Sequence, residues 1–446
     1  MENVLILGAG ISGLGAAHVL LERECRVVIS DLHDIRDCGE KDELARMGAV
    51  FAIGPQTEAL LSEKDAVIVS PGIPRENPLV AAALRRGIPV LSEIELAYRT
   101  AKAPILAVTG TNGKTTTTSL LGHMIETAGI PCAEAGNIGK SLSREAEAVP
   151  PEGIIAAELS SFQLEFIDTF RPMAAVILNI TPDHLERHHT MEAYAAAKAR
   201  IFENMGPEGS LLLNQSDPWT ARFAAEARAH VFYLDTEKPV REGACLLDGE
   251  LTLRIGGKDI PLVREADMAI RGHHNMEDAL AAAFLAYQGG VPAEAIRKAL
   301  LSYRALEHRI EYVRTVRGAA YYNDSKATNT DAAEKALGAF HEPVILIAGG
   351  HDKGTPLDRF MTVVRAHAKH VVLLGEAAER FREAAERAGL SALTMASDME
   401  DAVNKAAALA EAGDVVLLSP ACSSYDMYHS YEERGRDFKR IVQALQ

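Results

Sequence analysis

Residues 105–116 read ILAVTGTNGKTT, a short β-branched run that breaks into a glycine-rich loop and then a helix-periodic stretch. Strand, loop and helix in that order make a phosphate cradle. Backbone N–H groups turn toward an anion, and the helix start adds a positive dipole. Lys114 reaches the terminal phosphates, and Thr115 offers a hydroxyl to magnesium. The strict pattern G-x-x-x-x-G-K-[ST] wants its first glycine at position 108, where valine stands, so Gly110 reads as a displaced first glycine. ATP or GTP binding is expected at Gly110, Thr111, Asn112, Gly113, Lys114, Thr115 and Thr116.

Other chemistry-bearing residues fall near strand ends. Glu158 closes the run GIIAAE, and His184 follows AAVILNITPD. Open α/β sheets bind ligands at the carboxyl ends of their strands, so these two are expected to converge on the magnesium and phosphates. Lys198, in AYAAAKARIFE, reads by itself as an ordinary exposed helix lysine. His184, His188 and His189 lack a third clear ligand, and no HExxH is present, so zinc is not expected. Gly8, Gly10 and Gly13 form G-x-G-x-x-G with Asp31 ending the next strand, which read alone indicates NAD and an oxidoreductase. The same turn holds any diphosphate, including that of a UDP-sugar, and the downstream phosphate loop has no role in a dehydrogenase.

Positioning these residues takes a repeated alternation of apolar Val, Ile and Leu runs with Ala-rich helical segments, the pattern of parallel sheets covered by helices. It recurs three times, giving an α/β chain of three domains: 1–93, 94–303 and 304–446. A hairpin is expected at Asp248-Gly249. With 446 residues, 48% hydrophobic and 24% charged, the chain can bury several cores. The net charge of -16 disfavours nucleic acid as a partner. Cys25, Cys38, Cys132, Cys245 and Cys422 form no CxxC and read as incidental thiols. No basic leader precedes the first strand and no apolar run reaches membrane-spanning length, so a cytoplasmic protein without membrane insertion is expected.

ELSSFQLE (158–165), NITPDHLERH (179–188), KARIFE (198–203), HHNMEDALAA (273–282), EHRIE (307–311), NDSKATN (323–329) and LLSPACSSYDMY (417–428), together with the phosphate loop, resemble the Mur ligase family across all three blocks. The resemblance implies a Rossmann-like N-terminal domain for the UDP substrate and a central P-loop ATPase-like domain. It also implies a Rossmann-like C-terminal domain that takes the amino acid and closes over the nucleotide. The implied reaction is ATP-dependent ligation of D-glutamate to UDP-N-acetylmuramoyl-L-alanine through an acyl phosphate, in peptidoglycan precursor synthesis, by a monomer using Mg2+. A folylpolyglutamate synthase or another Mur ligase is the nearer rival.

By the same resemblance, Lys114 contacts the transferring phosphate, Thr115, Glu158 and His184 serve magnesium, and Lys198 is carbamylated. Asn275, Arg309, Asp324 and Lys326 match nucleotide positions. His184, Thr328, Lys353, Ser424 and Tyr431 match the D-glutamate pocket, and Ile11, Ser12, Gly72 and Asn137 face the UDP substrate. Two positions depart from the family pattern: Tyr431 stands where a phenylalanine is expected, and Leu32-His33 where a Thr-Arg pair is.

Overall fold

The computed structural model describes residues 1–33, 39–268, 270, 272–303 and 307–445; Cys38 and the expected boundary at 304 lie outside the described residues. Three sheets carry the architecture, and the apolar runs that end at the phosphate loop, at Glu158 and before His184 are strands of the second.

The first sheet contains β1 (Asn3–Leu7), β2 (Arg26–Asp31), β3 (Val50–Ile53), β4 (Ala66–Val69) and β5 (Val90–Ser92), in the order β3-β2-β1-β4-β5 and wholly parallel. The second is built around β6 (Ile105–Thr109), β7 (Cys132–Gly136), β8 (Ile154–Glu158), β9 (Ala174–Ile177), β10 (Ser210–Asn214) and β11 (His230–Asp235), followed by β12 (Gly243–Leu247), β13 (Glu250–Ile255) and β14 (Lys258–Arg264). Its order is β14-β13-β12-β11-β10-β9-β6-β8-β7. The strands β6, β8 and β9 are buried along their whole length, which is why no polar alternation marks them in the sequence.

The parallel expectation holds from β7 to β12, but β12–β13 and β13–β14 are antiparallel hairpins added at one edge. Asp248 and Gly249 form the first hairpin turn with φ of 48° and 77°, as expected for a tight two-residue connection. The third sheet contains β15 (Glu311–Val316), β16 (Ala319–Asn323), β17 (Val344–Gly349), β18 (Ala368–Leu374), β19 (Leu393–Met395) and β20 (Val415–Leu418), in the order β15-β16-β20-β17-β18-β19. Only β15 runs antiparallel to its neighbour.

The chain folds as two compact units. One comprises Met1–Met268 with Met276–Tyr303 and holds the first two sheets; the other comprises Ala269–Asn275 with Arg304–Gln446 and holds the third. In the second unit a Cβ at Gly272 would lie 2.8 Å from Ala339 Cβ, so Gly272 is closely packed there. Within the first unit the two sheets are locked by carboxylates of the helix Glu93–Thr100. Glu93 accepts hydrogen bonds from Ser141 Oγ (2.6 Å) and Ser143 N (2.5 Å). Glu95, fully buried, accepts from Asp168 N, Thr169 N and Phe170 N at 2.9–3.1 Å and from Thr169 Oγ1 at 2.5 Å.

Candidate functional site

In the central sheet β6 lies between β9 and β8, so the loop leaving β6 opens at the point where the chain's crossovers change side, the position at which such sheets bind ligands. Residues 110–113 turn into the helix Lys114–Thr127. Gly113 caps it with φ +85°, and a Cβ there would lie 2.1 Å from Asp278 Oδ1, so this position requires glycine. Neighbouring strands brace the loop. Thr111 N donates to Asn179 O (2.9 Å), Asn112 N to Asn179 Oδ1 (2.9 Å), and Thr111 Oγ1 lies 3.1 Å from Tyr194 OH.

Two lysines share one loop carbonyl: Gly110 O accepts from Lys114 Nζ at 2.9 Å and from Lys198 Nζ at 2.7 Å. Lys198 is only 2% exposed, so the surface lysine expected from its Ala-rich helix is instead a core residue. The helix Met191–Ala199 buries Tyr194, Ala195 and Lys198, and Tyr194 OH reaches the phosphate loop while its ring lies 4.8 Å from Lys198 Nζ. Burial first, and then the neighbouring Lys114 ammonium, hold the Lys198 amine well below the ordinary lysine range.

Glu158 ends β8 and is 1% exposed. Its Oε1 accepts from Asn137 Nδ2 at 2.9 Å, and its Oε2 has no hydrogen-bond partner among the described residues. A buried carboxylate oxygen left bare is costly unless a cation meets it. A hard oxygen donor here, at the end of the strand that pairs with β6 and its glycine-rich loop, fits magnesium chemistry. Lys198 as an ammonium would not ligate a metal; only its deprotonated or carbamylated form would.

His184 caps the helix Leu185–His188 in the left-handed region (φ 54°), with its ring 4.8 Å from Phe162 and half exposed. His188 is turned away from that surface onto Ser161 Oγ (3.0 Å), and burial lowers its pKa. Among the described residues the one His, Cys, Asp and Glu trio drawn together is Glu307, His308 and Glu311, and Lys439 Nζ sits on both its carboxylates at 2.6 and 2.8 Å.

In the first sheet Ile11, Ser12 and Gly72 line a hollow of about 450 Å³ with Gly8, Asp31 and Leu32. Asp31 carries Ala9 N on Oδ2 (2.8 Å) and His33 N on Oδ1 (3.1 Å), so both its oxygens already bind backbone. Asn137 does not line this hollow; it is committed to Glu158. Arg187, which the sequence reading passed over, pairs with Glu165 (2.8 Å) and donates to Gly72 O and Ile73 O at 3.4 and 3.1 Å, tying the rim of the hollow to the central sheet.

In the second unit the parallel strands β16, β20 and β17 present their carboxyl ends on one edge, and Asp324, Lys326, Thr328, Lys353 and Ser424 follow those ends. Asp324 is buried and accepts from Ser419 Oγ (2.7 Å); burial pushes its carboxyl up to about 7. Lys326 Nζ lies over the Tyr431 ring at 5.4 Å. Ser424 is buried, Lys353 is exposed, and Arg309 follows His308 in the turn that leads into β15. Asn275 closes the 269–275 piece, its N–H donating to Gly272 O at 3.0 Å.

Three family patterns match the chain: the Mur ligase MurD-like N-terminal domain over residues 2–92, the Mur ligase middle domain over 108–286, and the Mur ligase glutamate ligase domain over 308–422. A UDP-N-acetylmuramoylalanine–D-glutamate ligase of Pelotomaculum thermopropionicum is 43% identical over 446 residues, covering 100% of this chain and 98% of the relative. One from Desulfitobacterium hafniense is 42% identical over 443 residues, covering 99% and 97%. Among solved structures, UDP-N-acetylmuramate-alanine ligase of Thermotoga maritima aligns with a TM-score of 0.61 at 19% identity over 100% of both chains. MurF of Acinetobacter baumannii aligns with 0.63 at 17% over 98% of this chain and 93% of that one. At such identities the structures establish the three-domain α/β fold. The oxidoreductase alternative falls with them, since the glycine turn sits in a five-stranded sheet without the second half of a dinucleotide fold. Matches that together run from residue 2 to residue 422, and relatives above 40% identity along the whole chain, lead to one conclusion: this chain belongs to the Mur ligase family of amide-bond-forming enzymes.

Proposed function

We propose that the chain joins D-glutamate to the alanyl carboxylate of UDP-N-acetylmuramoyl-L-alanine, with ATP converted to ADP and phosphate, in the making of a peptidoglycan precursor. The observation that carries this reading is the end-to-end likeness to relatives bearing that name. A carboxylate resists attack by an amine at neutral pH, so it must first gain a leaving group. Phosphorylation by ATP supplies one, and the amine of D-glutamate then displaces phosphate from the acyl phosphate.

In this reading Gly110–Thr116 cradle the phosphates, and Lys114 leaves the Gly110 and Thr111 carbonyls to meet the transferring group. Magnesium, when bound, would offset the charge gathering on the phosphoryl oxygens, and Thr115, Glu158, His184 and a carbamate on Lys198 would hold it. Carbamylation needs a neutral amine: the ammonium gives up one proton, the freed lone pair attacks carbon dioxide, and a second proton leaves the nitrogen, so a cation becomes a carboxylate-like anion. The depressed Lys198 pKa supports this. Ile11, Ser12 and Gly72 receive the UDP portion, with Asn137 acting through Glu158. Asn275, Arg309, Asp324 and Lys326 take the nucleotide, and Thr328, Lys353, Ser424 and Tyr431, with His184, the amino acid. The segments 1–93, 94–303 and 304–446 thus divide the work, and closure of the last would exclude water from the acyl phosphate. In this reading the chain works in the cytoplasm as a monomer, where such a precursor would be made. Among the described residues no helix is long and apolar enough to cross a membrane.

The test is phosphate release from ATP with magnesium and UDP-N-acetylmuramoyl-L-alanine, comparing D-glutamate, L-glutamate, meso-diaminopimelate and no amino acid. Release that needs D-glutamate, with a product heavier by one glutamyl residue, is expected. Release with meso-diaminopimelate instead would move the chain to another member of the family, and release with none would sink the reading.

A further inference from the structure

The turn that carries Arg309 is held in an unfavourable backbone conformation. His308 has φ +68° and Ile310 φ +42°, and a β-branched residue in the left-handed region is held there only by its surroundings. The holding groups converge from β15 and the NDSK segment. His308 N donates to Glu311 Oε2 (2.9 Å), Lys326 N donates to His308 O (3.1 Å), and Ile310 N donates to Asp324 Oδ1 (3.3 Å). Arg309 sits between them with its Nε buried and without a hydrogen-bond partner among the described residues.

At the centre is Asn323, fully buried at the end of β16. Its Nδ2 faces His308 Nδ1 at 2.9 Å, Glu311 Oε2 at 3.0 Å and Gly435 O at 3.4 Å, while its Oδ1 accepts from Ser325 N at 3.2 Å. A carboxylate and a carbonyl only accept, so the amide nitrogen must be the atom that faces them. His308 Nδ1 is then an acceptor, and the ring proton belongs on Nε2. The ring packs against Gly435, where a Cβ would lie 2.2 Å from His308 Nδ1.

We infer that Asn323 is a positioning residue for nucleotide turnover, setting the His308 tautomer and with it the strained turn that presents Arg309. The inference rests on the reading above that Arg309 contacts the nucleotide. Asparagine suits the position because one group must donate to a ring nitrogen and a carboxylate while its other atom accepts a backbone N–H. An isosteric aspartate only accepts; it would face Glu311 and demand a proton on His308 Nδ1.

The test is a double-mutant cycle on the full-length enzyme with Asn323→Asp, Arg309→Ala and both, reading KM for ATP and kcat separately. The His308 ring is followed by its imidazole 15N signals. Asn323→Asp is expected to raise KM for ATP about tenfold with kcat changed less than about threefold, and to add less than about twofold once Arg309 is gone. The 15N pattern is expected to move from the Nε2–H tautomer to a ring protonated at Nδ1. If the aspartate variant does not fold, Asn323→Ser, which places no second carboxylate beside Glu311, enters the same cycle with the same expected KM rise and non-additivity. A raised KM in Arg309→Ala with an unchanged KM in the Asn323 variant, or full additivity of the two, overturns the inference alone. An unchanged KM in Arg309→Ala overturns the nucleotide reading and the inference with it.

Discussion

The carbonyl of Gly110 receives the Nζ atoms of two lysines, an arrangement that two ammonium charges would disfavour, so one lysine must lose its charge or move away when phosphate arrives. Lys114 is the one with somewhere to go, since it opens the helix that follows the glycine-rich loop and is only partly buried. Lys198 is buried and stays. Lys198→Ala is therefore expected to lose turnover by at least about 10²-fold, the scale of removing one preorganised charge from an active site. Added short carboxylic acids should restore part of it by supplying the missing carboxylate. Activity measured with and without acetate or propionate checks this, and a loss that no acid relieves would argue against the carbamate. The phosphate loop and Glu158 were legible in the sequence because each is announced locally, by glycines before a helix or by a strand that stops at an acid. The burial of Lys198 was not legible, since AYAAAKARIFE carries no sign that Tyr194 reaches back to Thr111 some eighty residues away. Arg187 and Asn323 were missed for the same reason: what each touches is set by packing between distant segments.

At the scale of elements, the helix Glu93–Thr100 joins the first two sheets through acids in its first turn, a place where the helix dipole also favours negative charge. The hydrogen bonds from Thr169 Oγ1, Asp168 N, Arg99 and Thr169 N outweigh burial and keep the Glu95 pKa below the ordinary glutamate value. A carboxyl whose folded pKa is depressed adds stability above its unfolded pKa, near 4.3, and loses it as pH falls through the folded value. Glu95→Gln sets an amide NH2, with two donors, against backbone N–H groups, and it is expected to lower unfolding stability by about 1–3 kcal/mol at neutral pH. The gap from wild type should close under acid, and denaturant melts at pH 7 and pH 3.5 measure it. An equal gap at both would show that the ionised form is not what holds the loop. The strands of these sheets were readable as apolar runs, and the Asp248-Gly249 turn by its residue types. That turn implied the antiparallel β12–β13 pair, but the antiparallel β13–β14 pair and the reversed β15 were not legible, because strand direction is decided by connection length and partner, neither of which marks the strand itself.

For the molecule as a whole, the same rule serves three times: the candidate site residues gather near the carboxyl ends of parallel strands, and helices bury the rest. That repetition made the division into three α/β blocks visible from the alternation of runs alone. What the alternation hid is that the third sheet's compact unit borrows Ala269–Asn275 from a stretch of chain that then goes back to the first unit. The borrowed piece belongs there chemically as well as spatially. Burial, with Lys335 and Arg309 nearby, pushes His274 down to about 3, so its ring stays neutral at any working pH. The chain thus enters the second unit, returns to the first and enters the second again, and a break after residue 303 would leave the longer fragment holding a part of the shorter one. Fragments 1–303 and 304–446, co-expressed, are expected to find each other and recover activity, as halves of a split enzyme do. The shorter fragment made alone should unfold well below the intact chain; if instead it melts cooperatively at the same temperature and ignores its partner on a sizing column, the borrowed segment contributes nothing to it.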